Sequence, residues 1–151
     1  MNSNRIPCLL AAACAALALG VGAAVLTGTS PAGWPYAEGG SDPQDETQLI
    51  ARRAQHNLLV MVAGHAAPLQ PVQGVRLRIT QQPGPADQAV PRPGYDRMLT
   101  GSWVLVDLPG GQYDVDLLHR GRLQRQPLSI SPGEQPPALV FYVDSAQAAP
   151  D

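Results

Sequence analysis

Beyond residue 57 the apolar positions of this chain fall at every second residue. Val75, Leu77 and Ile79 alternate with Arg76 and Arg78, and Tyr113, Val115 and Leu117 alternate with Asp114 and Asp116. A period of two puts each set on one face of a strand, apolar side in and charged side out. Two runs, Leu58 to Ala63 (LLVMVA) and Ser102 to Leu108 (SWVLVDL), are apolar almost throughout, the mark of strands covered on both faces. Leu123 to Ile130 carries Pro127, which cannot donate to a ladder and belongs on an edge strand or a bulge. Leu139 to Val143 (LVFYV) closes the series. Pro109-Gly110-Gly111 and Arg120-Gly121-Arg122 have hairpin spacing, so 102–108, 112–119 and 122–130 read as a three-stranded meander. About six or seven short strands with such punctuation predict an all-β, Ig-like antiparallel β-sandwich over residues 57–144. The stretch 81–96, with four prolines and two glycines, reads as a long mobile loop, and the tail 145–151 as disordered.

Upstream the period changes to 3.6. Asp42 can cap a helix, Pro43 suits its first position, and Asp45 and Glu46 favour its positive end. The pattern predicts one short helix from Pro43 to about Gln55, with Leu49, Ile50 and Ala54 facing inward. Residues 33–42 (GWPYAEGGSD) read as an irregular arm, so 33–56 is arm plus helix.

The first 32 residues have the layout of a signal peptide. A short start with Arg5 precedes a 12-residue apolar run, Cys8 to Leu19, too short for an ordinary spanning helix. Ser30-Pro-Ala32 offers small residues at −3 and −1, which predicts cleavage after Ala32, with Val21-Gly-Ala23 as second choice. Left uncleaved, residues 6–26 are just long enough to anchor the chain in the inner membrane. Ala11-Ala-Ala-Cys14 is a weak lipobox. The leader carries both cysteines, Cys8 and Cys14, so cleavage would leave no thiol for metal binding or catalysis. The expected location is the periplasm or the outside of the cell.

Composition narrows the function without fixing it. Gly 15 and Pro 16 of 151 residues suit many turns between short elements. A net charge of −2 and scattered arginines, with no lysine at all, give no footprint for nucleic acid or anionic lipid. The spacings of His56, His65 and His119 fit no metal motif, and there is no G-x-S-x-G. Asp114 and Asp116, about 7 Å apart along a strand, read as a solvated face able to pair with Arg76 and Arg78 if their strands adjoin. Trp103, Tyr113 and Phe141 read as core, which leaves Trp34 and Tyr36 as candidate partner contacts or as pins for the arm. No catalytic residue, cofactor site or metal site is expected.

The segment Leu108-Pro-Gly-Gly-Gln-Tyr113 resembles the carboxypeptidase regulatory-like domains, which are transthyretin-like (prealbumin-like) sandwiches. The resemblance covers roughly 57–143. Pro35-Tyr36 with Gly39-Gly40, a short helix and then such a sandwich is similar to small exported proteobacterial proteins of unknown function. It implies a transthyretin-like fold and a non-enzymatic accessory role. The enzyme branch of that family, the hydroxyisourate hydrolases, carries a C-terminal Tyr-Arg-Gly-Ser that this chain lacks, so that activity is not transferred. The expectation is an exported binding or structural module whose partner is another envelope protein or a cell-wall glycan, with strand addition beside Pro127 as one docking mode. The alternative is a small periplasmic ligand-binding protein or hydrolase with a site not visible in sequence.

Overall fold

The computed structural model describes residues 24–65, 72–87, 90–134 and 136–144. Residues 1–23 of the expected signal peptide 1–32, with Cys8 and Cys14, and the tail 145–151 lie outside them. No helix among the described residues is long and apolar enough to cross a membrane.

The described residues form a β-sandwich of nine strands and one short helix. In chain order they are β1 (Leu26–Thr29), β2 (Pro35–Gly39), α1 (Pro43–Arg52), β3 (Leu58–Gly64), β4 (Val75–Gln81), β5 (Pro93–Met98), β6 (Trp103–Val106), β7 (Gly111–His119), β8 (Arg122–Ile130) and β9 (Ala138–Val143). Sheet A has the order β1-β2-β6-β3-β9 and sheet B the order β5-β4-β7-β8. All pairs are antiparallel except β3 with β9. The core lies between the sheets. Val75, Leu77 and Ile79 from β4 and Tyr113, Val115 and Leu117 from β7 meet Leu58, Val60, Val104, Val106 and Phe141 from sheet A. The period-two reading of β4 and β7 therefore holds.

Three strands were not visible in the pattern. Residues 33–42 are not an irregular arm: β2 sits inside sheet A between β1 and β6. The stretch 81–96 is not wholly a loop, because β5 begins at Pro93 and buries Tyr95 completely. Pro93 lies on an edge strand, where its missing N–H costs nothing. Finally, β1 pairs with β2 from Leu26 opposite Glu38 to Thr29 opposite Pro35. The turn between them is closed by Ser30 N–H to Trp34 O at 2.9 Å and Trp34 N–H to Ser30 Oγ at 3.1 Å. The cut expected after Ala32 falls inside this hairpin and would remove β1.

The meander is also corrected. Strand β6 lies in sheet A while β7 and β8 lie in sheet B, so Pro109-Gly110 crosses between sheets and is no hairpin. Arg120-Gly121 is one: His119 pairs with Arg122, and both loop residues have positive φ, 50° and 77°. That geometry matches the right-handed twist of the flanking strands.

Helix α1 is capped as expected, with Asp42 accepting from Asp45 N–H at 2.8 Å, and it ends in a single 3-10 turn, Arg53–Gln55. Leu49 is buried, but Ile50 is 62% exposed and Ala54 is exposed as well. The helix lies on the outer face of β2 and β6 against Ala37 and Leu105, so one row of side chains suffices to seat it.

Candidate functional site

Sheet A presents a second apolar face, directed away from the core. Across β6, β3 and β9 the register sets Trp103 opposite Met61 and Met61 opposite Val140, with Ala63 opposite Tyr142 one step along. Neither β3 nor β9 contains a charged residue. Helix α1 covers only the β2–β6 half of this face. On the other half Met61, Ala63 and Val140 are half-buried and Tyr142 is 56% exposed. The sequence had marked Leu58 to Ala63 as covered on both faces, and the fold supplies only part of that cover.

Tyr142 also borders a depression of about 200 Å³ at the end of the sandwich, lined by His65, His119, Arg120, Arg122, Gln124 and Asp144 among others. The His65 ring stacks on Tyr142 with centroids 5.6 Å apart and an interplanar angle of 26°. Arg122 pairs with Asp144 at 2.9 Å. Arg122 is thus taken up by Asp144, while Arg120 has no acidic partner among the described residues and leaves this end of the face open to an anion. Strand β8 is the predicted edge, but its inward Gln124 and Gln126 donate to the carbonyls of Tyr142 and Val140 at 2.8 and 3.1 Å. These side chains bind the free edge of β9, a protection common on exposed sheet edges.

A larger cavity of about 420 Å³ opens beside Asn57, Leu108, Ile130 and Pro132. Of its polar lining side chains Asn57 and Ser129 are engaged, and Arg53 closes over the neighbouring carbonyls. Asn57 donates to Leu108 O at 2.6 Å and accepts from Leu108 N–H at 2.8 Å. Arg53 donates to the carbonyls of His56, Pro136 and Pro137.

Trp34 and Tyr36, the candidate contacts, are core residues, 6% and 7% exposed. Because β2 is an interior strand, its alternate side chains point between the sheets. Trp34 stands edge-on to Tyr113 at 5.7 Å, and Tyr36 edge-on to Tyr95 at 5.4 Å. Neither can serve as an exposed contact. Glu38 follows in the same inward row and is fully buried. It accepts from the N–H of Thr100, from Thr100 Oγ1 at 2.9 Å and from the Tyr95 hydroxyl at 3.4 Å, and it faces Arg97 at 3.6 Å. Arg97 in turn lies over the Tyr36 ring at 5.1 Å. Burial, then the Glu38 charge, pushes the Tyr95 phenol far above its ordinary range. This polar cluster joins sheet A to β5 across the core. Nothing in Tyr-Ala-Glu-Gly marked Glu38 as buried.

No protein-family profile, curated protein or solved structure matches this chain.

The two strand aspartates are engaged by Arg125 rather than by Arg76 and Arg78. Arg78 and Asp116 are opposite one another, as the adjoining strands require, but the ion pairs run elsewhere. Arg76 binds Asp96 at 2.6 Å, Arg78 faces Asp96 at 3.4 Å, and Arg125 holds Asp116 at 2.7 Å and faces Asp114 at 3.6 Å. Columns of acid and base alternate across the outer face of sheet B, and the hydrogen bond from Arg76 holds the Asp96 carboxyl below its ordinary range. His56 is separate from the other histidines, with Nδ1 3.0 Å from Arg52 O. Among the described residues no three His, Cys, Asp or Glu side chains converge as metal ligands would.

Proposed function

We propose that this protein is an exported, non-enzymatic β-sandwich module of the bacterial envelope that binds another exported protein through the outer face of β3 and β9. The observation that carries the reading is the charge-free surface of Met61, Ala63, Val140 and Tyr142 beyond the edge of α1. Uncovered apolar sheet faces of this kind mark interaction sites. The adjoining Arg120 gives the partner's chemistry: an apolar segment carrying a carboxylate. A glycan partner is less well supported, since Trp34 and Tyr36 are buried and Tyr142 alone offers an open ring. The leader pattern of residues 1–32 and the carboxypeptidase regulatory-like resemblance of Leu108-Pro-Gly-Gly-Gln-Tyr113 agree with an exported accessory role. The cleft of about 200 Å³ beside this face lies below the usual range of about 300–1,000 Å³ for small-molecule sites, while the cavity of about 420 Å³ beside Asn57 lies within it.

The test is site-specific photo-crosslinking in the envelope of the producing bacterium, with the full chain. A photoreactive residue at Val140 should yield one adduct with a second protein, weakened by Arg120→Glu. The same residue at Leu123, exposed on sheet B, should yield none. Equal adducts from both positions, an adduct of two copies of this chain, or no adduct at Val140 would overturn the proposal.

A further inference from the structure

Asp45 is the third residue of α1 and 1% exposed. Neither of its carboxylate oxygens has a hydrogen-bond partner among the described residues. A capping box would have it accept from the N–H of Asp42, but only the forward bond, Asp45 N–H to Asp42 Oδ1, is made. The positive end of the helix favours a carboxylate here but does not replace a hydrogen-bonded partner. The neighbouring ionisable residues, Asp42 and Glu46, are also acidic. A buried carboxylate in such a place calls for a cation.

The structure brings the beginning of β1 to the same spot. A Cβ built on Gly39 would lie 3.4 Å from Val25 Cγ2 and 3.5 Å from Asp45 Oδ2, so those two atoms are less than about 7 Å apart. Val25 packs against the cluster of Ala37, Leu49 and Leu105. Ala24, one residue earlier and exposed, lies two residues ahead of the ladder that begins with Leu26 opposite Glu38. One residue of chain spans about 3.5 Å. An amine freed at Ala24 would lie one residue from Val25, on the side of the fold where Asp45 is buried.

We propose that Asp45 receives the α-ammonium of the mature chain, formed by cleavage between Ala23 and Ala24. A leader-removing endopeptidase would hydrolyse that bond, water supplying the hydroxyl of the Ala23 carboxyl and a proton to the Ala24 amine. The amine, protonated at neutral pH, then pairs with Asp45. Val21-Gly-Ala23 offers the small residues such an enzyme requires. A cut after Ala32 would instead discard β1 with all four of its register pairs and its cover over Tyr36, where Gly28 lies so close that an added Cβ would be 2.7 Å from the hydroxyl. The mature end thus completes the fold, and uncleaved chain lacks this bond.

The inference rests on the leader reading, and one experiment separates the two. The full chain is expressed in a bacterium with its own leader, and the exported product is weighed by intact mass spectrometry. A start at Ala24 is expected; a start at Met1 overturns the leader reading itself, and a start at Gly33 or any other residue overturns the proposed cut. Because the chain has no lysine, the α-amine is then the sole primary amine of the product. At pH 7 it should react with an amine-selective acylating reagent about tenfold more slowly than in Asp45→Asn, the ratio given by one unit of pKa elevation. Equal rates overturn the pairing. If Asp45→Asn fails to accumulate, acylating the wild-type amine should lower the thermal midpoint by about 4 °C, a loss of about 1 kcal/mol for a domain of this size. An unchanged midpoint overturns it equally.

Discussion

Replacing Glu38 with alanine removes the acceptor on which Thr100, Tyr95 and Arg97 converge. Three effects add. The Thr100 N–H and hydroxyl lose a charged acceptor, where each such hydrogen bond contributes about 1.5–3 kcal/mol. The Tyr95 hydroxyl is left buried without a partner, at about 1–3 kcal/mol. Arg97 loses its counter-ion, an effect to be discounted because its side chain is 39% exposed and water can screen it. Relaxation and water entry offset part of the sum, so the expected loss is about 3–5 kcal/mol, the range found when one partner of a buried pair is removed. Glu38→Gln retains one oxygen for Thr100 but turns a donor toward Arg97, and should lose about 1–2 kcal/mol. Urea unfolding followed by tryptophan fluorescence measures both. With a slope near 1.5 kcal/mol/M, the alanine variant should unfold about 2–3 M earlier and the glutamine variant about 1 M earlier. If Glu38→Ala shifts the midpoint by less than about 0.3 M at unchanged slope, the cluster does not join the two sheets.

Trp34→Ala should cost about 3–5 kcal/mol by calorimetry, because the ring fills the space beside Gly94 and Tyr113; an exposed contact residue would cost almost nothing. Gly101→Ala should prevent accumulation of folded protein, since its Cβ would stand 2.0 Å from the carbonyl oxygen of Gly39; normal yield and melting would refute this. The raised Tyr95 pKa stabilises the fold below about pH 10, where the unfolded phenol is still protonated, and that contribution is lost as the pH rises further. Alkaline unfolding should therefore accompany late phenol ionisation at 295 nm, and Tyr95→Phe should remove the late step. The depressed Asp96 pKa acts oppositely: its contribution is present above the ordinary carboxylate pKa near 4 and is lost as pH falls through the lower folded value. The stability gap between wild type and Asp96→Asn, measured by urea titration, should close on acidification, and a gap independent of pH would contradict the sign.

What the residue pattern revealed depended on how many neighbours each strand carries. Strands β4 and β7 lie inside sheet B with one dry face, and their strict alternation gave both existence and facing. Strand β2 is interior too, but it is five residues long and holds Pro35, Glu38 and Gly39, so its burial comes from β1 and β6 rather than from its own composition. Strand β5 was hidden by the prolines before it, although Tyr95 supplied one aromatic anchor. The Pro109-Gly110 turn looks the same whether it returns the chain within a sheet or carries it to the other one. The apolar face of β3 was partly legible, since apolar residues at both parities signalled two covered faces. That α1 would cover only one half depends on where the helix lands, which no local pattern encodes.

Sheet A takes one outer strand from the beginning of the folded chain and the other from its end, with β9 set parallel beside β3. Strand β3 ends at Gly64 and its neighbour begins at Ala138, so the pairing closes a loop of more than seventy residues. Such long-range closure slows folding, because chain entropy is lost before contacts reward it. A chain threaded through a membrane from its amino end would reach the far side with β3 exposed and no β9 to meet it. It must wait, unfolded along that side, until its last strand emerges. Synthesis stopped before Ala138 would leave the bare edge of β3 open to pairing with other chains.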